Sequence, residues 1–310
     1  MLLKNKDLIG LHGMPEEEIV SILDSAVAMK QYLKQKAKKM PHLQGKSVVA
    51  LFYENSTRTR LSFELAAKFL GAAFSNLGVS SSSVAKGETL LDTGKTIEAM
   101  ETDVIIIRHP YAGAPKLLAD HFKGSVINAG DGMHEHPTQA LLDMFTMREH
   151  FGRIEGLKVA IVGDILHSRV ARSNLWGLKK LGAKVTLCAP KTLLPQGIEH
   201  MGAAVTGNLK EAVGNADVVM GLRIQKERLQ GAYLSSSREY HSFFGINEQL
   251  LDQCNKDVLI MHPGPVNRGV EMASTVVDAE NSAIDEQVTN GVAVRMALLY
   301  LLTRRSHDEN

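Results

Sequence analysis

Ser47-Val48-Val49-Ala50-Leu51-Phe52-Tyr53-Glu54-Asn55-Ser56-Thr57-Arg58-Thr59-Arg60-Leu61-Ser62-Phe63 is the stretch on which the reading of this chain turns. Its first six residues form a short apolar run, rich in β-branched side chains, of the kind that makes a buried strand. Beyond Arg60, the residues Leu61, Phe63, Leu65, Phe69 and Leu70 recur at near-helical spacing, and Gly71 supplies a stop. A strand therefore hands over to a helix across Ser56-Thr57-Arg58-Thr59-Arg60. Three hydroxyls and two guanidiniums cluster in that turn. Unpaired backbone N–H groups and the positive end of the helix dipole already favour an anion there. Hydroxyl donors and an arginine fork suit a phosphate dianion. A plainer reading makes Ser56 or Thr57 a simple helix cap and leaves the arginines solvated. The alternation of hydroxyls and arginines through the whole turn argues for the anion.

Outward from this turn, strand and helix patterns alternate almost throughout. Short apolar runs end at Phe52, Arg108, Asn128, Val162, Ala189, Met220 and Met261, and helical patterns such as 139–150 and 169–181 lie between several of them. That alternation predicts an α/β fold, with mainly parallel sheets flanked by helices and right-handed crossovers. A chain of 310 residues fits two such doubly wound domains, each burying its own core. The boundary is expected near Phe151-Gly152-Arg153, giving domains at 1–150 and 151–286. A C-terminal helix, about 287–303 within the tail 287–310, is expected to pack back on the first domain. Ligands of such sheets bind beyond the carboxyl ends of the strands. Ser56, Arg108-His109-Pro110, Gly163-Asp164 and His262-Pro263-Gly264-Pro265 all fall at those ends.

Composition narrows the function class. Hydrophobic residues make up 44% and charged residues 22%, and the formal net charge is +1. Nothing in that balance draws the chain to nucleic acid or to an acidic membrane surface. The lysines within 34–39 read as one solvated helix end, and Ser80 to Ser83 as a flexible polar loop. Cys188 and Cys254 are the two cysteines, too few for a disulfide framework or a cysteine-based zinc site. No signal-peptide pattern or bilayer-length apolar stretch is read, so a cytoplasmic location is expected.

Other motifs are weaker taken singly. His134-Glu135-His136 invites a metal, yet Pro137 follows at once and no third ligand stands at a zinc-like spacing, so no metal is expected. His136-Pro137-Thr138-Gln139 reads instead as a strand-end loop entering a helix, with imidazole and amide aimed at a ligand. Ile161-Val162-Gly163-Asp164 ends a strand as a dinucleotide-binding turn would, but the glycine fingerprint is absent, which disfavours such a cofactor. Arg169 opens the next helix, where a cation opposes the dipole unless it faces an anion. Arg223 and Gln225 share one face of an extended stretch. Arg169 and Arg223, from two strand ends, could clamp a dicarboxylate.

Eight motifs, in order along nearly the whole chain, resemble the carbamoyltransferase family, and within it the members whose acceptor is aspartate. They are Phe52 through Arg60, Lys86-Gly87-Glu88-Thr89, Arg108-His109-Pro110, Asn128-Ala129-Gly130-Asp131-Gly132, His136-Pro137-Thr138-Gln139, Gly163-Asp164, Arg223-Ile224-Gln225 and His262-Pro263-Gly264-Pro265. The resemblance implies one domain for carbamoyl phosphate and one for aspartate. It implies that Ser56, Thr57, Arg58 and Thr59 hold the phosphate, and that Thr59, Arg108 and His136 donate to the carbamoyl oxygen. Gln139 and the backbone carbonyls of Pro263 and Gly264 would hold the carbamoyl NH2. Arg169, Arg223 and Gln225 would take the aspartate carboxylates. Ser82 and Lys86 would reach into the site of a neighbouring subunit in a homotrimer, Lys86 serving both catalysis and aspartate binding. The implied reaction is an early step of pyrimidine synthesis, without metal, cofactor or covalent intermediate and with domain closure. Regulatory chains are compatible with this reading.

Two positions depart from the family pattern. Asn55 stands where Pro is common, which relaxes the turn without removing a ligand. Val170 stands where some relatives carry Thr, removing one possible substrate hydrogen bond. Three rival readings remain at this point. An ornithine-using relative would want a carboxylate or thiol near its cationic acceptor, whereas the His262 segment lacks Cys and Arg223 would repel an ammonium. A non-catalytic anion-binding relative would usually have lost half the site. A dehydrogenase would need the missing glycines.

Overall fold

The computed structural model describes residues 3–35, 40–78, 87–224 and 236–304. Ser82, Lys86 and Gln225 lie outside the described residues, as do most of the polar loop from Ser80 and part of the lysine run. The elements run α1 (Glu16–Leu33), β1 (Ser47–Phe52), α2 (Thr57–Phe69), β2 (Ala73–Gly78), α3 (Leu90–Ala99), β3 (Val104–His109), α4 (Ala114–Ala119), β4 (Ser125–Asp131) and α5 (Pro137–Phe151). They continue with β5 (Lys158–Val162), α6 (Arg169–Lys180), β6 (Lys184–Cys188), β7 (Ala204–Thr206), α7 (Leu209–Val213) and β8 (Val218–Gly221). The last are α8 (Ser237–Phe244), α9 (Glu248–Leu251), β9 (Leu259–Met261), α10 (Ser274–Val277) and α11 (Ile284–Arg304).

The chain packs as two compact units, Met1–Leu142 with Val288–Asn310, and Asp143–Gln287. Each is organised on its own parallel sheet. Among the described residues, the first sheet has the order β2-β1-β3-β4 and the second β7-β6-β5-β8-β9. Every pairing in both sheets is parallel. Parallel strands joined by helical crossovers are covered on both faces, so central strands read as unbroken apolar runs. β4 and β8 are buried at every residue. In the first unit Leu51, Ile105, Ile107 and Val126 pack with Leu118 and Phe122. In the second, Ala160, Val162, Val219 and Ile260 pack with Val213, Ile246 and Val276.

The edge strands β2 and β7 add to the strands expected from apolar runs. β2 is mostly exposed along its length and β7 is three residues long, so neither leaves an apolar signature. The chain passes between the units inside α5 and again inside α11. Asp143, in the middle of α5, accepts from Asn174 and Gln287 of the second unit. From Val288 onward α11 belongs to the first unit, where the Arg295 guanidinium lies 5.1 Å from the centre of the Phe63 ring.

Parallel registry brings the strand ends together within each unit. Phe52 pairs with Arg108 and His109 with Asp131 at the carboxyl edge of the first sheet. Val162 pairs with Gly221 and Met220 with Met261 in the second.

Candidate active site

In the first unit the chain leaves β1 at Phe52 and enters α2 at Thr57, with Ser56 as an extended N-cap residue (φ −156°, ψ 98°). Its side chain accepts no helix N–H. This is unlike Thr89, Ser168, Asn208, Ser236 and Asn247, whose side chains all accept from the first turn of their helices. The first turn of α2 thus keeps its N–H groups and dipole available to an anion rather than to its own cap. Ser56 is half-buried, Thr57 and Arg58 are exposed and Thr59 is buried.

Arg108 ends the adjacent strand. Its carbonyl accepts from the Tyr53 N–H at 2.8 Å, which ties β3 to the segment leading into the Ser56–Arg60 turn. Its Nε lies 3.3 Å from Glu54 Oε2, and Nη1 donates to the Ala129 carbonyl at 3.4 Å. Glu54, not singled out in the sequence, thus stands at ion-pair distance from this guanidinium; an acid beside the turn was its only signal. His109 follows, buried against Tyr53 at 4.6 Å between ring centres, with Nδ1 accepting from the Tyr111 N–H at 3.1 Å. Burial lowers its pKa, outweighing the upward pull of the Glu54 and Asp131 charges.

His136 and Gln139 are both buried at the start of α5. His136 Nδ1 lies 3.4 Å from Thr138 Oγ1, and the His136 carbonyl accepts the Gln139 N–H at 3.0 Å. Behind them stands a buried carboxylate network. Asp131 accepts from Asn128 Nδ2 and the Gly113 N–H, each at 2.8 Å, and pairs with His134 Nδ1 at 3.0 Å. Burial pushes the Asp131 pKa up, but these donors together hold it below the ordinary carboxylate value. Glu135 accepts the N–H groups of Leu11 and His12 at 2.8 and 3.2 Å. The His-Glu-His run is thus divided among separate tasks. Sequence reasoning missed this clamp, because its partners lie far away in the chain.

In the second unit β5 ends at Val162, and Gly163 adopts φ +136°. A Cβ there would lie 2.7 Å from the Leu222 carbonyl oxygen, so only glycine lets the end of β5 approach the residue before Arg223. Asp164 is fully buried and binds His167 through both carboxylate oxygens. Ser168 then caps α6 by accepting the Ala171 N–H at 3.1 Å. Arg169, the first residue of α6, is only 5% exposed. Arg223 is half-buried just beyond β8. After β9, the Gly264 N–H donates to His262 Nδ1 at 2.8 Å and the Gly264–Pro265 peptide is cis. Among the described residues no backbone N–H donates to the Pro263 or Gly264 carbonyls, which leaves them as available acceptors.

The structure therefore gathers Ser56, Thr57, Arg58, Thr59, Arg108, His136 and Gln139 at the carboxyl edge of one sheet. It gathers Arg169, Arg223, Pro263 and Gly264 at the carboxyl edge of the other. Residues 6–149 match the family model described as the aspartate/ornithine carbamoyltransferase carbamoyl-P binding domain, and residues 155–302 match the Asp/Orn binding domain of the same family. The chain belongs to the aspartate/ornithine carbamoyltransferase family. Within this family it is 63% identical over 310 residues to the aspartate carbamoyltransferase catalytic subunit of Acetivibrio thermocellus, covering 100% of this chain and 99% of the relative. The crystal structure of aspartate transcarbamoylase from Trypanosoma cruzi, in complex with carbamoyl aspartate and phosphate, is 32% identical. It superposes with a TM-score of 0.87 over 96% of both chains. The ornithine carbamoyltransferase of Thermus thermophilus, at 28% identity, superposes with a TM-score of 0.86 over 96% of this chain and 99% of that one. The carbamoyltransferase fold is thus common to enzymes of either acceptor, and the choice between acceptors rests on side chains.

Proposed function

We propose that this chain transfers the carbamoyl group of carbamoyl phosphate to the α-amine of L-aspartate, giving N-carbamoyl-L-aspartate and phosphate, an early step of pyrimidine synthesis. The observation that carries the choice of acceptor is the placement of Arg169 and Arg223 at two strand ends of the second unit. Two guanidiniums match a dicarboxylate and repel an ammonium-bearing acceptor. In this reading residues 1–150, with 287–310, carry the carbamoyl phosphate site, and 151–286 the aspartate site.

The phosphate sits on Ser56, Thr57, Arg58 and Thr59 at the uncapped start of α2. Thr59, Arg108 and His136 donate to the carbamoyl oxygen, where negative charge grows as the amine attacks. Gln139 and the carbonyls of Pro263 and Gly264 hold the NH2 group. Arg169, Arg223 and Gln225 fix the carboxylates and so aim the amine at the carbonyl carbon. The new N–C bond forms, the bond from the carbonyl carbon to the phosphate oxygen breaks, and the amine proton passes to the departing phosphate. Carbamoyl phosphate is already activated, so positioning and preorganised charge supply the acceleration without cofactor or metal. Ser82 and Lys86 complete the site from a neighbouring subunit of a homotrimer, Lys86 meeting both substrates. The trimer is cytoplasmic, is compatible with regulatory chains, and has neither nucleic acid nor membrane as a partner. No described helix is long and apolar enough to cross a membrane.

The test is product formation by the purified protein, with carbamoyl phosphate and either aspartate or ornithine. Turnover with aspartate alone supports the assignment. Turnover with ornithine, or none with either, overturns it.

A further inference from the structure

Two ligand-facing parts of the second unit come from distant places in the sequence: the start of α6, with Arg169, and the turn after β9, with Pro263 and Gly264. One buried run of side-chain hydrogen bonds joins them. Gln287 Oε1 accepts the His262 N–H at 2.9 Å, and Gln287 Nε2 donates to Asp143 Oδ1 at 2.8 Å. Asp143 Oδ2 accepts from Asn174 Nδ2 at 2.8 Å, and the same amide donates to the Val170 carbonyl at 3.1 Å. Asp143 and Asn174 are fully buried, and His262 and Gln287 nearly so. Val170 is the residue after Arg169.

A carboxylate at this depth is a poor way to gain stability, since an apolar side chain of similar volume commonly does as well or better. What a buried polar run adds is a unique arrangement. Moving either end strands a donor or acceptor away from water, which is costly, so the two ends hold one register. We propose that Asp143, acting through Gln287 and Asn174, is a positioning residue for aspartate. It locks the turn presenting Pro263 and Gly264 against the helix start presenting Arg169. The proposal rests on the reading of Arg169 as a carboxylate ligand.

The test is steady-state kinetics on the full-length enzyme, varying aspartate at saturating carbamoyl phosphate, with inorganic phosphate affinity measured by calorimetry. Asp143→Asn turns one acceptor into a donor facing an amide donor. It is expected to raise KM for aspartate about tenfold, with kcat within about threefold and phosphate affinity within about twofold. Gln287→Glu sets two carboxylates face to face and is expected to do at least as much. In Asp143→Asn/Gln287→Glu the middle bond reverses direction and each of the donors named above again meets an acceptor, so KM is expected to return to within about threefold of wild type. Should Asp143→Asn not fold, Asn174→Ala, which leaves the Asp143–Gln287 bond in place, is expected to show the same rise in KM. A fall in kcat alone, matching a reduced folded fraction, overturns the proposal. So does a double variant as poor as the singles. Arg169→Ala separates the two readings: if it raises KM while Asp143→Asn does not, the positioning role fails. If Arg169→Ala leaves KM unchanged, the ligand reading fails and this one with it.

Discussion

His167 presents Nδ1 to both oxygens of the Asp164 carboxylate, at 2.9 Å from Oδ1 and 3.1 Å from Oδ2, and its backbone N–H donates to the same Oδ1 at 3.2 Å. Main chain and side chain of one residue are thereby fixed to a single buried carboxyl group. The next residue, Ser168, caps α6, and the one after it is Arg169. The start of α6, and with it the backbone of Arg169, is thus set by a stack of short local bonds.

The arginines should therefore act as aspartate ligands with little effect on the other substrate. Arg169→Ala and Arg223→Ala are each expected to raise KM for aspartate about a hundredfold, equivalent to about 2.7 kcal/mol, the scale of a charge-assisted contact. Affinity for inorganic phosphate, followed by calorimetry, should change less than about threefold.

Ser56 and Ser168 are both N-cap residues, but only Ser168 bonds its helix. Ser168→Ala should lower unfolding free energy by about 1 kcal/mol in urea titrations. Ser56→Ala should leave that quantity within about 0.5 kcal/mol in the absence of ligand while raising KM for carbamoyl phosphate about tenfold. Equal loss of stability in the two variants would mean that Ser56 serves the helix and not a ligand.

Burial holds the His109 pKa below its ordinary 6.5. The folded protein then binds this proton less tightly than the unfolded chain does. The stability it contributes is complete above pH 6.5 and falls away as pH drops through the lowered value. Urea midpoints at pH 7.5 and about 5 should differ less in His109→Gln than in wild type.

Gly163→Ala puts a methyl group 2.7 Å from the Leu222 carbonyl oxygen at φ +136° and should cost about 2 kcal/mol or more. Gly152→Ala, at φ +71° with open space around it, should cost about 1 kcal/mol. Because Leu222 precedes Arg223, the Gly163 variant should also raise KM for aspartate.

What could be read from the chain was whatever is local. The β1–turn–α2 stretch carries its strand pattern, its stop at Gly71 and its hydroxyl-arginine turn within consecutive residues, and the central strands announce themselves as apolar runs. The edge strand Ala73–Gly78 escaped notice because it is largely solvent-facing and needs no apolar face. Side-chain partnerships across long separations were equally hidden. Nothing near Glu54 in the sequence names Arg108, nothing near Glu135 names Leu11 and His12, and Asp143 sits 144 positions from Gln287. Residues that touch ligands cluster at strand ends and can be found by that rule. Residues that hold those ligand contacts in place follow no such rule and emerge only from the packing.

The second unit opens at Asp143 and closes at Gln287, and those two side chains are hydrogen-bonded to each other. Its entry and exit therefore lie side by side, as in an inserted cassette whose removal leaves the host chain with two neighbouring ends to rejoin. Modules with adjacent termini tolerate transplantation and circular permutation. The second unit is thus exchangeable in one piece, by a graft at two neighbouring points that leaves the half holding Ser56 to Thr59 intact.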